Sequence, residues 1–218
     1  MKILHFLLLF GILFLYPLGC TPPPTSTPEP GQIILDSPCS PPCWYQIIPG
    51  KTTNAEVPLM LSQIPDLDQE RSIKIGPWGS YSEVYRLYFL GDYFKGEILV
   101  KDDVVNRIGL FGDFNLSLEN TIETFGIPDQ VVISRVWTGE IATKSLYLLY
   151  PEKGLVIGAD QSGFKPITVE RADQVDLICF LNTDTYFDSL TQTPEIVTSE
   201  DLAKQILSWP GWGAVLED

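Results

Sequence analysis

Histidine is all but absent. The 218-residue chain has one, His5, and it lies in an N-terminal leader that processing would remove. Without imidazole a mature protein loses the usual general base near neutral pH, the Ser-His nucleophile pair and the commonest nitrogen ligand for zinc. Carboxylate-pair and Ser-Lys chemistry survive this exclusion; most other hydrolase and zinc chemistry does not. Positive charge is scarce as well, with 14 Lys and Arg against 28 Asp and Glu. The leader holds only Lys2, so removing it leaves 13 basic and 28 acidic residues, a net charge of −15. Such a polyanion, with no basic cluster, is repelled by phosphate backbones, which excludes nucleic acid as a partner. A Gly-rich phosphate loop and a Gly-x-Ser-x-Gly elbow are also missing. No cofactor and no metal are expected.

Long apolar runs are missing too. Phe6 to Tyr16 is apolar over 11 residues, short of the roughly 20 that a membrane span needs. Behind Met1-Lys2 it suits the core of a signal peptide. Leu18-Gly19 then precede Cys20, which resembles the bacterial lipobox, although Pro17 stands where a leucine is usual. Residues 1–19 are therefore expected to be cleaved, leaving an acylated Cys20 that anchors the protein to a membrane outside the cytoplasm. The alternative is an ordinary secretory leader followed by an incidental cysteine.

The segment after Cys20 favours the anchor. Between Thr21 and Pro42 there are eight prolines among Thr and Ser. Such a stretch prefers extended polyproline II, and about 18 residues at roughly 3.1 Å each would hold a domain some 50 Å from the bilayer. Residues 20–42 are read as this lipidated spacer.

Three further cysteines remain: Cys39, Cys43 and Cys179. Outside the cytoplasm thiols tend to pair. A local Cys39–Cys43 disulfide around Ser40-Pro41-Pro42 is the first choice, with Cys179 then a buried thiol in an apolar strand. Stapling one spacer cysteine to Cys179 is the alternative. A three-thiol metal site is disfavoured without histidine.

From Trp44 onward the chain repeats itself. Ile64-Pro65-Asp66 matches Ile127-Pro128-Asp129, each after a short helical pattern. The first helix opens with the capping-box signature Thr53-Asn54-Ala55-Glu56 and carries Val57, Met60, Leu61 and Ile64, with Pro58 distorting it. Ser117 caps the second, which carries Leu118, Ile122 and Phe125 and stops at Gly126. Tyr85 to Leu90 matches Ser145 to Tyr150, Ile98-Leu99-Val100 matches Leu155-Val156-Ile157, and Val105 to Leu110 matches Val175 to Phe180. Short Val/Ile/Tyr-rich strands joined by turns such as Gly91-Asp92 and Lys101-Asp102-Asp103 make an antiparallel sheet.

The fold expected is α+β: two tandem repeats of one helix plus about four antiparallel strands, residues 43–114 and 115–182. Together they would form one continuous sheet with the helices on one face. Residues 183–218 would add a polar surface loop to Val197, a helix starting at Thr198-Ser199-Glu200-Asp201 with Leu202, Ile206 and Leu207 on one face, and an apolar docking tail from Trp212.

Several local patterns invite chemistry and are better read as turns. Asp66-Leu67-Asp68-Gln69-Glu70 alternates oxygens like a calcium loop but lacks the glycine and the distal bidentate Glu. Asn182-Thr183-Asp184 with Asp188 reads as a loop, and Asp102-Asp103 as a hairpin turn. Ser162-Gly163-Phe164-Lys165 has Ser-x-x-Lys spacing, but Gly163 and Pro166 favour a turn and the partner motifs are missing. The aromatics Trp78, Tyr81, Tyr85, Tyr88, Tyr93 and Phe94 stand out. Tyr85 and Tyr88 must face opposite sides of the sheet. Trp78, Tyr81, Tyr85 and Tyr88 are the candidate binding surface, with packing in the core the competing use of these rings.

Pro38-Cys39-Ser40-Pro41-Pro42-Cys43-Trp44, with Ile48-Pro49-Gly50-Lys51-Thr52-Thr53 then leading into a helix, resembles a group of uncharacterised Chloroflexi-type bacterial lipoproteins. The tandem helix-plus-sheet layout is similar to the β-lactamase inhibitor protein fold and to the SmpA/OmlA outer-membrane lipoproteins. The resemblance transfers no functional residue, and implies protein binding more than catalysis. The function expected is a lipid-anchored, non-catalytic extracytoplasmic binding or scaffold module with a protein or glycan partner. The alternatives are an inhibitor of an envelope or secreted enzyme that uses the open sheet face, and, more remotely, a carboxylate-based glycan hydrolase.

Overall fold

The computed structural model describes residues 37–91, 94–138, 141–162, 166–193 and 206–216. Eleven strands are found among them: β1 (Ile73–Ile75), β2 (Glu83–Tyr88), β3 (Phe94–Lys101), β4 (Val104–Gly112), β5 (Gln130–Thr138), β6 (Ile141–Tyr150), β7 (Leu155–Ser162), β8 (Ile167–Thr168), β9 (Leu177–Leu181), β10 (Ile206–Ser208) and β11 (Val215–Leu216). Helices α1 (Val57–Leu61), α2 (Leu118–Phe125) and α3 (Tyr186–Thr191) accompany them. Nine strands form one antiparallel sheet in the order β1-β2-β3-β4-β9-β7-β6-β5-β10, and β8 pairs with β11 beside it. The protein is thus α+β, dominated by a single large antiparallel sheet.

Local sequence accounts for much of this. The β3–β4 hairpin turns on Asp102 and Asp103, both at positive φ (52° and 64°). A two-residue loop of that kind matches the twist of the strands, and Asp tolerates the left-handed conformation. Ser117 caps α2 by accepting the Asn120 N–H, and Gly126 ends the helix at φ 85°. Before α1, Glu56 accepts hydrogen bonds from the Thr53 N–H and Oγ1, both at 2.8 Å. The helix itself runs only five residues, with Pro58 in its first turn. Gly154 opens β7 at φ 56°, and a Cβ there would lie 2.3 Å from the Leu181 carbonyl oxygen. Only glycine fits both the conformation and the approach.

The larger core lies on the α1/α2 face. Val57 and Leu61 of α1 and Leu118 of α2 pack there with Tyr85, Leu87, Ile98, Ile108, Leu146, Leu148, Ile157 and Ile178, joined by Trp44 and Ile47 from the segment that enters the domain. β2 alternates between exposed Arg86 and buried Tyr85 and Leu87, as a one-sided strand should. β9 is buried at all five positions, because both of its faces are covered.

That second cover corrects two expectations. Asn182 to Val197 is not a plain surface loop: a 3-10 turn at Thr183–Thr185 leads into α3, whose Tyr186 and Leu190 are buried. Nor are the helices confined to one face. α3 packs on the opposite side with Val132, Tyr147, Leu149, Val156, Leu177, Cys179 and Leu181. The Tyr186 hydroxyl donates to the Leu155 carbonyl at 3.0 Å. A further correction concerns Ile206 and Leu207, which belong to strand β10 on the β5 edge instead of a helix face. The helix start at Thr198 to Asp201 lies outside the described residues. The tail docks through β11, with Trp212 and Ala214 packed against the main core.

Candidate interaction surface

Antiparallel register puts directly paired residues on the same face. On the face opposite α1 and α2, one row runs Ile73-Arg86-Glu97-Gly109-Cys179-Val156-Leu149 across β1, β2, β3, β4, β9, β7 and β6. The next runs Tyr88-Lys95-Phe111-Leu177-Gly158-Tyr147-Val132. α3 and Ile206 seal the β9, β7, β6 and β5 part of this face. Among the described residues no helix covers the β1 to β3 part: Val84 and Leu99 at one end of it lie buried with Tyr81, while Ile73 is 50% exposed, and Arg86 and Lys95 are exposed beside half-buried Tyr88, Glu97 and Phe111. A shallow hollow of about 250 Å³ lies among Arg86, Tyr88, Lys95, Glu97 and Phe111.

The four aromatic candidates separate. Trp78 is 54% exposed, and it forms a bridge pair with Tyr81 through hydrogen bonds of 3.1 Å in both directions. Tyr81 itself is buried with Val84, Leu99 and Ile75. Tyr88 is half-buried, with the Arg71 guanidinium 5.0 Å from its ring centroid. Tyr85 is no surface residue. It belongs to the α1/α2 core, where its hydroxyl donates to Asn54 Oδ1 at 2.6 Å, and burial, reinforced by the Asp103 charge, raises its pKa. Trp78 and Tyr88 therefore remain on the surface, Tyr81 supports it from beneath, and Tyr85 leaves the set. Tyr93 and the Phe94 side chain lie outside the described residues.

The structure places cations around Tyr88, with Arg71 over its ring and Lys95 opposite it. Arg86 stands opposite Ile73 and Glu97, and Lys95 opposite Tyr88 and Phe111. Glu97 is engaged with Arg107, whose side chain is 1% exposed. Strand alternation could have put Arg86 and Tyr88 on one face. Only the β2–β3 register could add Lys95.

The remaining candidates resolve locally. Asp68 Oδ1 accepts the Glu70 and Arg71 N–H groups, which makes the Asp66 to Glu70 stretch a closed turn. Asn182 Oδ1 accepts the Asp184 N–H at the start of the 3-10 turn. No group of three or more His, Cys, Asp or Glu suited to a metal occurs among the described residues. Cys39 and Cys43 are joined by a disulfide, and Cys179 is a buried thiol on β9. Cys20 and the Ser162 to Lys165 turn side chains lie outside the described residues. No helix among the described residues is long and apolar enough to cross a membrane.

One acid pair escaped sequence reasoning. Asp160 on β7 and Asp176 before β9 are hydrogen-bonded, and the Ser145 hydroxyl donates to Asp160. Burial, the Asp160 charge and the shared hydrogen bond push the Asp176 carboxyl up to about 7. Burial also lifts the nearby Tyr147 hydroxyl above its ordinary range. Carboxyls in mutual hydrogen bond share a proton. A glycosidase instead holds its pair roughly 5–9.5 Å apart, with the sugar between them. Nothing in the chain next to either aspartate announces the pairing; the β7–β9 alignment creates it.

Against known proteins, no family model, no curated protein and no solved structure matches this chain.

Proposed function

We propose that this protein is a binding module, tethered outside the cytoplasm through an acylated Cys20, that holds a protein partner on the β1–β3 part of its open sheet face. One observation carries the reading. Of a single sheet face, one part is sealed by α3, while the other displays exposed Ile73 directly opposite exposed Arg86, with half-buried Tyr88 on the same side of β2; Trp78 is exposed in the turn after β1. Trp, Tyr and Arg around an apolar centre are the residues that dominate protein interfaces. This function is binding without catalysis. Inhibition of an envelope enzyme is the second reading, favoured by the same open face.

The body that carries this face is a duplicated unit. In support, the sheet order is mirrored about the β4–β9 pair, so that β1, β2, β3 and β4 correspond to β5, β6, β7 and β9. Equivalent backbone ties recur. The lead-in to α1 meets the start of β4 (Val105 N–H to the Thr52 carbonyl, 2.8 Å), and the lead-in to α2 meets the segment before β9 (Val175 N–H to the Leu116 carbonyl, 2.8 Å). The two Ile-Pro-Asp turns each bond to the end of the second strand of their unit, through Leu90 to Asp66 and Asp129 to Leu149.

The test is capture of envelope proteins by the detergent-solubilised full chain. Trp78→Ala and Ile73→Glu should each lower retention of a specific partner at least tenfold. Ile127→Ala, at a 69% exposed residue next to α2, should not. Equal retention by all variants would overturn the site.

A further inference from the structure

We propose that the surface around Arg86 and Lys95 recognises an acidic protein partner; the inference rests on the binding function proposed for this face and adds the partner's charge. The chain is strongly acidic, yet here its sign reverses locally. Arg86 and Lys95 are exposed, lie diagonally across the β2–β3 register, and enter no ion pair among the described residues. Glu97, directly opposite Arg86, is engaged with the buried Arg107 guanidinium instead. Among the described residues no ion pair compensates the two cations that flank the 250 Å³ hollow.

Long-range repulsion from the remaining acidic surface does not cancel this. At physiological ionic strength the Debye length is about 8 Å, which leaves a close partner facing the local charges alone. Charge complementarity of this kind sets specificity and encounter rate.

The rings decide between protein and glycan. A sugar needs an open aromatic face on which to stack. The Arg71 guanidinium already lies 5.0 Å from the Tyr88 centroid. Phe111 is half-buried, packed over Gly109 and against the core under α3, its Cζ 2.9 Å from where a Gly109 Cβ would sit. What stands beside the cations is Ile73, 50% exposed and paired with Arg86, an aliphatic anchor that fits a protein surface rimmed with carboxylates.

Binding of a random Glu-Tyr copolymer to the full chain in detergent, at 0.15 M salt, tests this, with polygalacturonate as the acidic-glycan arm. The copolymer should bind. Arg86→Glu with Lys95→Glu should weaken it at least tenfold, and the milder Arg86→Gln with Lys95→Gln severalfold, both with unchanged thermal unfolding. Lys51→Glu with Lys153→Glu, at exposed lysines elsewhere, should leave it within twofold. No copolymer binding, equal loss in the control pair, or polygalacturonate binding as tightly would each overturn the proposal. If charge reversal is silent while Trp78→Ala still abolishes capture of the native partner, the acidic partner fails and the binding face stands. If Trp78→Ala is silent as well, both fall.

Discussion

Asp176 shows how a single carboxyl can set the pH response of the fold. Asp160 on β7 acts on it directly, and its own charge acts on Tyr147 of β6. With its folded pKa pushed up to about 7 from an ordinary 3.8, the native state binds a proton that the unfolded chain has released. Stability must therefore fall as pH rises from about 4 to about 7, and level off above that. Asp176→Asn removes the charge and keeps a group able to donate to Asp160. It should flatten this slope and, at pH 8, stabilise the protein by on the order of 2 kcal/mol. Urea midpoints at pH 4, 6 and 8 would decide; an unchanged slope would mean that Asp176 does not titrate in this window. The charges of both aspartates were plain in the sequence, but their proximity was not. They are well separated along the chain, and a strand pairing brings them together.

α3 illustrates the same limit one scale up. Its six residues, Tyr-Phe-Asp-Ser-Leu-Thr, are half polar and carry no side-chain N-cap bond. A helix this short has almost no stability of its own. It exists because Tyr186 and Leu190 fill the space over Leu149, Val156 and Cys179, and because the Tyr186 hydroxyl finds the Leu155 carbonyl. Leu190→Ala should therefore destabilise by about 2–4 kcal/mol, the usual cost of emptying a fully buried leucine site. It should also let a thiol reagent reach Cys179, which is 0% exposed in the intact protein. Cys179 labelling at the wild-type rate would show that α3 is not the seal. α2 is the opposite case. Ser117, the apolar spacing of Leu118, Ile122 and Phe125, and Gly126 are all local signals, and the helix was legible from them.

At the scale of the whole molecule, anchor and surface have to act together. Under the proposed anchoring, a stalk of roughly 50 Å would set the reach of the domain from the membrane, and acyl chains would supply the affinity, since an acidic body offers no polybasic second contact. Mass spectrometry of the native protein should find Cys20 acylated at the mature N-terminus. An unmodified or uncleaved cysteine would remove the tether, and with it the reason for a stalk.

The sequence by itself determined the α+β class, the main strands of the large sheet, the Ser117-capped start of α2 and the Asp102-Asp103 hairpin. Each depends on residues within a few positions of one another: period-2 burial, turn conformation, composition. It also placed Tyr85 and Tyr88 on opposite faces, because alternation along a strand is local. Tertiary structure decided which face was which. Tyr85 went to the core, α3 covered one part of the far face, and pairing of β2 with β3 gathered Arg86 and Lys95 beside Tyr88. Those outcomes depend on register between strands and on packing between elements distant in the chain. Local propensity leaves both open.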